Sequence, residues 1–584
     1  MKTEKELIKD QPATNIEKNK FTTERLSGSM AVMQSLLNEG VSLIFGYPGG
    51  AIMPIYDAMM NYEDRMKHIL VCHEQGAIHA AQGYARVTGK TGVCFVTRGP
   101  GATNAVTGIA DALLDSTPLV VISGQVASSL LGTDAFQEVD VVGITQPITK
   151  WNCQVKRANE IPEAIAKAFY IANSGRPGPV LIDITKDAQI ESLEYSYQKI
   201  NRIRSYQPIP QIDKSKIGEA ARLINLAKKP MILVGQGVVL ANAEKELLTF
   251  TEKTGIPTAW TLLGLSAFPS DHPLNVGMLG MHGNLAPNLK TNECDLLIAI
   301  GMRFDDRVTG NTQKYGISAK VIHMEIDKSE INKNIYADVP VLGDVKTTLP
   351  LLTEMVVENN HDAWLQEFKT CYKLEHDKII KSQLNPSQGL VTMGEAINKI
   401  SKALNDDAIM VTDVGQHQMM AARYFRFKQS RSVVTSGGLG TMGFGLPAAI
   451  GAKMGRPDRE VILFVGDGGI QMTIQELGTI FRTKIPVKIV LLNNEFLGMV
   501  RQWQELFFER RYSSTEMTNP DFQMIARGYS IEAGIVKQRE ELDAEILKMV
   551  NHQGPYLLEV RVEKEDNVFP MVPSGAAVSD IRLE

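Results

Sequence analysis

The runs Val461-Ile462-Leu463-Phe464-Val465, leading into Gly466-Asp467-Gly468-Gly469, and Val487-Lys488-Ile489-Val490-Leu491-Leu492, leading into Asn493-Asn494, decide the fold. Short apolar runs that stop at glycine or polar residues read as buried parallel strands. Between them Ile474, Leu477, Ile480 and Phe481 recur on one helical face, which predicts a crossover helix. Asp467 and Asn494 then share the carboxyl edge of one sheet, where open α/β sheets bind ligands. Glycines beside Asp467 let a diphosphate approach the backbone. Asp467 and Asn494 offer two oxygens to Mg²⁺, whose octahedron phosphate and water complete. Either turn alone is only a turn. The spacing, 24 residues between Gly-Asp-Gly and Asn-Asn, is the distinctive feature.

A chain of 584 residues is too long for one core, and about three domains are expected. Hydrophobic and charged contents of 44% and 22% are those of a globular protein, and a net charge of −5 gives no reason to expect nucleic acid or a membrane surface. The five cysteines (Cys72, Cys94, Cys153, Cys294, Cys371) form no C-x-x-C pair, so neither a zinc site nor a disulfide framework is suggested. A reducing compartment, the cytoplasm, fits best. No run approaches the roughly 18 apolar residues of a membrane span. Residues 1–20 mix Lys with Glu and Asp, lack a signal peptide's apolar stretch, and read as a disordered tail.

The fold class is therefore α/β: three domains, each a mostly parallel sheet flanked by helices, over residues 21–190, 208–350 and 388–565, with a C-terminal tail at 566–584. In the first domain a helix near 29–39 and strands at 41–45, 69–72, 92–97 and 118–123 are expected. Gly46-Tyr47-Pro48-Gly49-Gly50 follows one strand. His73-Glu74-Gln75-Gly76-Ala77 follows the next and opens a helix, where a carboxylate ordinarily complements the helix dipole. Gly99-Pro100-Gly101-Ala102-Thr103-Asn104 is a glycine turn into another helix, and Phe136-Gln137-Glu138 reads as loop. A linker is expected after Lys186, as far as Pro210. In the middle domain Gly235-Gln236-Gly237 is an incomplete dinucleotide fingerprint, with Leu240 in place of the third glycine. Leu296 to Gly301 is a strand running into Arg303-Phe304-Asp305-Asp306-Arg307, which reads equally as a surface ion-pair cluster or a clamp for a dinucleotide's diphosphate and ribose. A charged helical linker is expected over 351–388. In the third domain Asp413-Val414-Gly415-Gln416-His417 follows a strand, and Gly437 to Pro447 is a glycine-rich run that implies close backbone approach. The tail carries Pro570, Pro573 and Gly575 and is placed to fold over the site.

Taken together these motifs, with Gly498-Met499-Val500-Arg501-Gln502-Trp503-Gln504, resemble those of the catalytic large subunit of acetohydroxyacid (acetolactate) synthase, a thiamine diphosphate (ThDP) enzyme. The likeness covers the chain from about Phe21 onward. Arg303 to Arg307 and Gln502-Trp503-Gln504 point to the biosynthetic, FAD-containing branch. The resemblance implies decarboxylation of pyruvate on ThDP and transfer of the two-carbon unit to pyruvate, giving 2-acetolactate, or to 2-ketobutyrate, giving 2-aceto-2-hydroxybutyrate, in branched-chain amino-acid biosynthesis. It implies a homodimer or dimer of dimers, each active site lying between the first domain of one chain and the third of another, and a regulatory small subunit.

The resemblance also assigns residues. Glu74 would hydrogen-bond the cofactor's aminopyrimidine, with Phe136, Gln137 and Lys186 on the substrate side. ThDP would further meet Tyr47, Pro48, Gly49, Gly415, Gln416, His417, Gly440, Met442, Gly466, Asp467, Gly468, Gly469, Asn494, Phe496, Gly498 and Met499. Mg²⁺ would be held by Asp467, Asn494 and the Phe496 carbonyl. FAD, structural because the net reaction moves no electrons, would touch Arg176, Gly235, Gly237, Leu279, Gly280, Met281, His282, Gly301, Arg303, Asp305, Arg307, Val308, Glu325, Ile326 and Asp344. Trp503, Met281 and Val500 would set the choice of second keto acid. Two departures stand out: Ala127-Ser128-Ser129 where the family commonly has Pro-Arg-Arg, and Arg98 where it has serine. The competing readings are a FAD-free catabolic acetolactate synthase, a pyruvate oxidase, and a non-catalytic cofactor-binding scaffold.

Overall fold

The protein is described by a computed structural model over residues 24–584; the tail expected at residues 1–20 lies outside the described residues. Three six-stranded sheets are formed, and every ladder within them is parallel. Their strands are the short apolar runs of the sequence. Gly92–Thr97, Leu296–Ile300 and Lys488–Asn493 are buried along their whole length, as strands covered by helices on both faces must be.

Counted in chain order within each sheet, the strands of the first and third sheets are arranged 2-1-3-4-6-5, and those of the middle sheet 3-2-1-4-5-6. In all three the chain reverses direction across the sheet beside the first strand, which leaves a crevice at the carboxyl ends of the neighbouring strands. In the third sheet this crevice lies between Ile409–Thr412 and Val461–Gly466. In the middle sheet it lies between Pro230–Val234 and Leu296–Ile300.

First and third domains meet through helix Glu74–Thr88 against helix Gly445–Gly455. Two glycines permit the contact. A Cβ on Gly83 would lie 2.0 Å from the Ala448 carbonyl oxygen, and one on Gly451 1.7 Å from that of Ala80. The two helices therefore touch backbone to backbone.

The structure differs from the sequence reading in two details. The single helix expected between Asp467 and Val487 is interrupted, running as Asp467–Met472, a 3₁₀ turn at Ile474–Glu476, and Leu477–Thr483. Its break at Thr473 has a tertiary cause, since the Thr473 hydroxyl donates to the Gly443 carbonyl at 2.9 Å and ties the helix to the glycine-rich run. The stretch after Lys186, read as linker, instead begins with helix Lys186–Ile190 and strand Ser192–Tyr195. That strand pairs antiparallel with Glu24–Ser27 and fastens the start of the described chain to the end of the first domain. Among the described residues no helix is long and apolar enough to cross a membrane.

Candidate active site

Strand pairing places the central motif. Gly466 pairs with Leu492, so Asp467 and Asn494 leave adjacent strands at nearly the same height. Asp467 is 1% exposed, and its Oδ2 accepts from Asn519 Nδ2 at 2.6 Å. Burial pushes its carboxyl up to about 6. Asn494 is also buried, and its amide donates to Gln416 Oε1 at 3.2 Å. One carboxylate, one amide oxygen and backbone carbonyls suit a hard cation that keeps phosphate and water ligands. Among the described residues no three His, Cys, Asp or Glu side chains gather into a metal-ligand cluster.

Around this pair the chain is stripped of side chains where a ligand would approach. Gly498 opens helix Gly498–Phe507, and a Cβ there would lie 2.1 Å from Gln416 Oε1. His417 is buried with Nε2 unpartnered, and burial holds its imidazole down to about 4, neutral at physiological pH. Asp413 ends the first strand of the sheet and accepts from the backbone N–H of Val414, Gly443 and Gly445 at 2.8, 3.1 and 2.9 Å. It anchors the far end of the glycine-rich run. A buried, unpartnered imidazole and glycine-lined helix openings fit a diphosphate with its metal.

The middle sheet supplies the other half. The glycines of its incomplete fingerprint chiefly serve strand packing. A Cβ on Gly235 would lie 2.2 Å from the Gly301 carbonyl oxygen, and one on Gly301, which has φ +57°, 2.8 Å from Gly237 Cα. Arg303 and Asp305 stand beyond them, 3.8 Å apart. Glu325 closes the fifth strand and accepts from the N–H of Ile326 and Asp327 at 2.8 and 3.1 Å, and burial pushes its carboxyl up to about 7. Arg176 reaches across from the first domain to Glu330 at 2.9 Å. His282 is buried with Nδ1 unpartnered. The turn carrying it is fixed from behind by Arg423, which donates to the Gly283 carbonyl at 3.0 Å and forms a fully buried ion pair with Glu375. An unpartnered imidazole, a guanidinium and a buried carboxyl at a dinucleotide crevice fit a flavin dinucleotide.

These two halves open into one cavity of about 940 Å³. It is lined by all the third-domain candidates for ThDP and by the FAD candidates except Gly235 and Gly280. Met281, Val500 and Trp503 line it too. The C-terminal tail packs outside, with Val572 N donating to the Met281 carbonyl at 2.8 Å and Val568 exchanging two hydrogen bonds with the Gln502 amide.

Apart from Arg176, the first-domain candidates, those for ThDP and the substrate, do not line this cavity. Glu74 begins helix Glu74–Thr88, and its Oε2 accepts from Asn104 Nδ2 at 2.9 Å. The Gly99 turn lies against Gln137, since a Cβ on Gly99 would sit 2.6 Å from the Gln137 carbonyl oxygen. Phe136 is 78% exposed and Tyr47 41%, and Lys186 is also exposed. Ser128, in the departing Ala-Ser-Ser segment, donates its N–H to Asp187 at 3.0 Å. Sequence reading missed Asn519, whose only local signal is an Asn-Pro turn. It also missed Asp111 and Asp115, two helix-face carboxylates with no motif about them.

Three family models match the chain: thiamine pyrophosphate enzyme N-terminal TPP binding domain over residues 26–144, central domain over 217–352, and C-terminal TPP binding domain over 413–560. The acetolactate synthase isozyme 2 large subunit of Escherichia coli K12 is 46% identical over 95% of this chain and 99% of its own length. The acetolactate synthase large subunit of Lactococcus lactis is 45% identical over 94% and 95%, and that of Corynebacterium glutamicum 45% over 96% and 90%.

Proposed function

The chain belongs to the thiamine diphosphate enzymes and, within them, to the acetolactate synthase large subunits, and from that premise we propose how its residues divide the work. It is a ThDP-dependent acetolactate synthase. The observation that carries the finer reading is the single cavity joining the third-domain diphosphate motif to the middle-sheet crevice. ThDP bound there supplies a nucleophilic carbon and an electron sink for decarboxylation of a 2-keto acid.

The protein's part is binding, orientation and proton placement. Asp467, Asn494 and the Phe496 carbonyl would hold Mg²⁺, with Gly468, Gly469 and Gly498 leaving room for the diphosphate. Met442 would pack against the cofactor, and the Gly440 carbonyl would accept a hydrogen bond from its amino group. Glu74, oriented by Asn104, would keep a proton shared with the aminopyrimidine. Because Glu74, Phe136, Gln137 and Lys186 stand away from the cavity, the site is completed by the first domain of a second copy, in a dimer or dimer of dimers. FAD would occupy the middle crevice from Arg176 to Asp344 and serve architecture. Trp503, Met281 and Val500 shape the space for the second keto acid, pyruvate or 2-ketobutyrate. The relatives' description as large subunits supports a regulatory small subunit as partner, and the enzyme would work in the cytoplasm.

The test is acetolactate formation from pyruvate with ThDP, Mg²⁺ and FAD supplied together and singly withheld. Dependence on all three is expected. Full activity from flavin-free protein would remove FAD from the reading. No acetolactate from the loaded chain, with or without a small subunit, would overturn it.

A further inference from the structure

We propose that Asp111 and Asp115 of the first domain are positioning residues for the cofactor-facing glycine loop, Ser436 to Thr441, of the same chain's third domain. Both carboxylates are fully buried. Asp111 Oδ1 accepts from the Thr441 hydroxyl at 2.8 Å and from the Ser436 hydroxyl. Asp115 accepts from the backbone N–H of Gly437 at 2.9 Å and of Gly438 at 2.6 Å. Arg86 completes the grip, donating to Asp115 Oδ2 at 2.7 Å and to the Thr435 carbonyl at 2.6 Å. The loop is held at both ends, while Gly438 to Gly440 stay exposed and Gly440 takes φ +69°. Glycine-rich backbone loses more freedom on ordering than any other, so charge-assisted bonds from a neighbouring domain fix what the loop's own residues cannot. Without them the cofactor must select the ordered loop from a wider set, and its apparent affinity falls by the competent fraction.

The same segment has a second task. Helix Val106–Leu114 begins just after Asn104, which holds Glu74. On the shared-site reading given above, on which this inference rests, Glu74 serves another chain's cavity. Asp111 and Asp115 serve their own. One stretch of the first domain would then set two different active sites.

The test begins with ThDP binding, measured calorimetrically with Mg²⁺ on the FAD-loaded protein. Thr441→Val keeps the side chain's shape and the Asp111–Ser436 contact, and should bind ThDP about threefold to tenfold more weakly. Its KM for pyruvate at saturating ThDP should stay within about twofold, which a general loosening of the fold would not leave alone. Asp115→Asn should lose tenfold or more in ThDP affinity. Wild-type ThDP affinity in Thr441→Val, or in both variants, would overturn the proposal.

Mixed dimers then locate the effect. At a ThDP concentration that just saturates the wild type and leaves Asp115→Asn homodimers largely empty, Glu74→Gln chains mixed with Asp115→Asn chains should regain activity, because one cavity of each mixed dimer has both its glutamate and its loop intact. The control pair is Glu74→Gln with Asp467→Asn. Recovery in the control without recovery in the Asp115→Asn pair would show Asp115 acting through Glu74 or the fold, against the proposal. Failure of the control would sink the shared-site reading instead and leave the ThDP affinities to decide the proposal. If Asp115→Asn does not fold, Thr441→Val decides it alone.

Discussion

The first and third sheets have the same strand order, 2-1-3-4-6-5, yet the cavity of about 940 Å³ is lined by the carboxyl-edge motifs of the third and not by those of the first. In the third sheet the loop after the second strand is the glycine-rich run, and the loop after the third strand carries Asp467. Both face the 940 Å³ cavity. In the first sheet the second strand leads to Glu74, and the loop after the third carries Gly99 to Asn104. These residues grip one another, Asn104 on Glu74 and Gly99 on Gln137, but they line no part of that cavity, and Phe136 beside them is 78% exposed. Two copies of one topology thus present a charged, metal-suited crevice and a shallow, partly aromatic edge. On the shared-site proposal, the chain holds every residue of an active site and still needs a second copy to bring them together.

The sharpest way to break this comparison is to remove the Glu74 carboxyl from the first-domain edge. Glu74→Gln should lower kcat by about 10²- to 10⁴-fold while ThDP still binds. Turnover and ThDP titration on one preparation check both halves, and an unchanged kcat would take Glu74 out of the chemistry. Next in size, Asp467→Asn should weaken Mg²⁺-dependent ThDP binding by about 10- to 100-fold. Retained affinity would move the metal site elsewhere.

A third test sharpens the middle crevice. Burial raises the Glu325 carboxyl to about 7. If FAD lies here as proposed, a ribose hydroxyl donating to Glu325 would favour the ionised form, and FAD binding would release a proton. FAD affinity should therefore climb with pH, by up to about tenfold per unit below 7, and flatten above it. Glu325→Gln should abolish that slope. A pH-independent wild-type affinity would exclude Glu325 from the flavin. The smallest expected effect is on specificity: Trp503→Leu should shift the product ratio toward acetolactate in a pyruvate and 2-ketobutyrate competition, since fitting one methylene is worth about 1–3 kcal/mol. An unchanged ratio would take Trp503 out of the pocket wall.

Much of this was legible in the sequence because it is local. The Val461 to Asn494 stretch announces two strands and their polar ends, and strand pairing does bring Asp467 and Asn494 together. The middle-domain Arg303 to Arg307 run left two readings open, and four of its residues, Arg303, Asp305, Asp306 and Arg307, line the cavity. What stayed hidden is what only tertiary contact creates. Asp111 and Asp115 look like ordinary helix-face acids, and their partners lie more than 300 residues away in the chain. Thr473 breaks a helix whose apolar spacing is continuous, because Gly443 reaches it from another loop. Gly235 and Gly237 fit a nucleotide fingerprint, whereas their contacts with Gly301 answer first to strand packing.

The measurement that tests the central claim most directly is complementation between inactive chains. At a ThDP concentration that just saturates the wild type, the Glu74→Gln homodimer turns over slowly and the Asp467→Asn homodimer stays largely empty, so each is impaired at one end of the proposed site. Unfolded together and refolded at equal amounts, they should regain about a quarter of wild-type acetolactate formation, since random pairing makes half the dimers mixed and each mixed dimer carries one intact site. Mixed dimers confirmed to form but without activity would contradict a site shared between chains and would require Glu74 to act on its own chain's cavity.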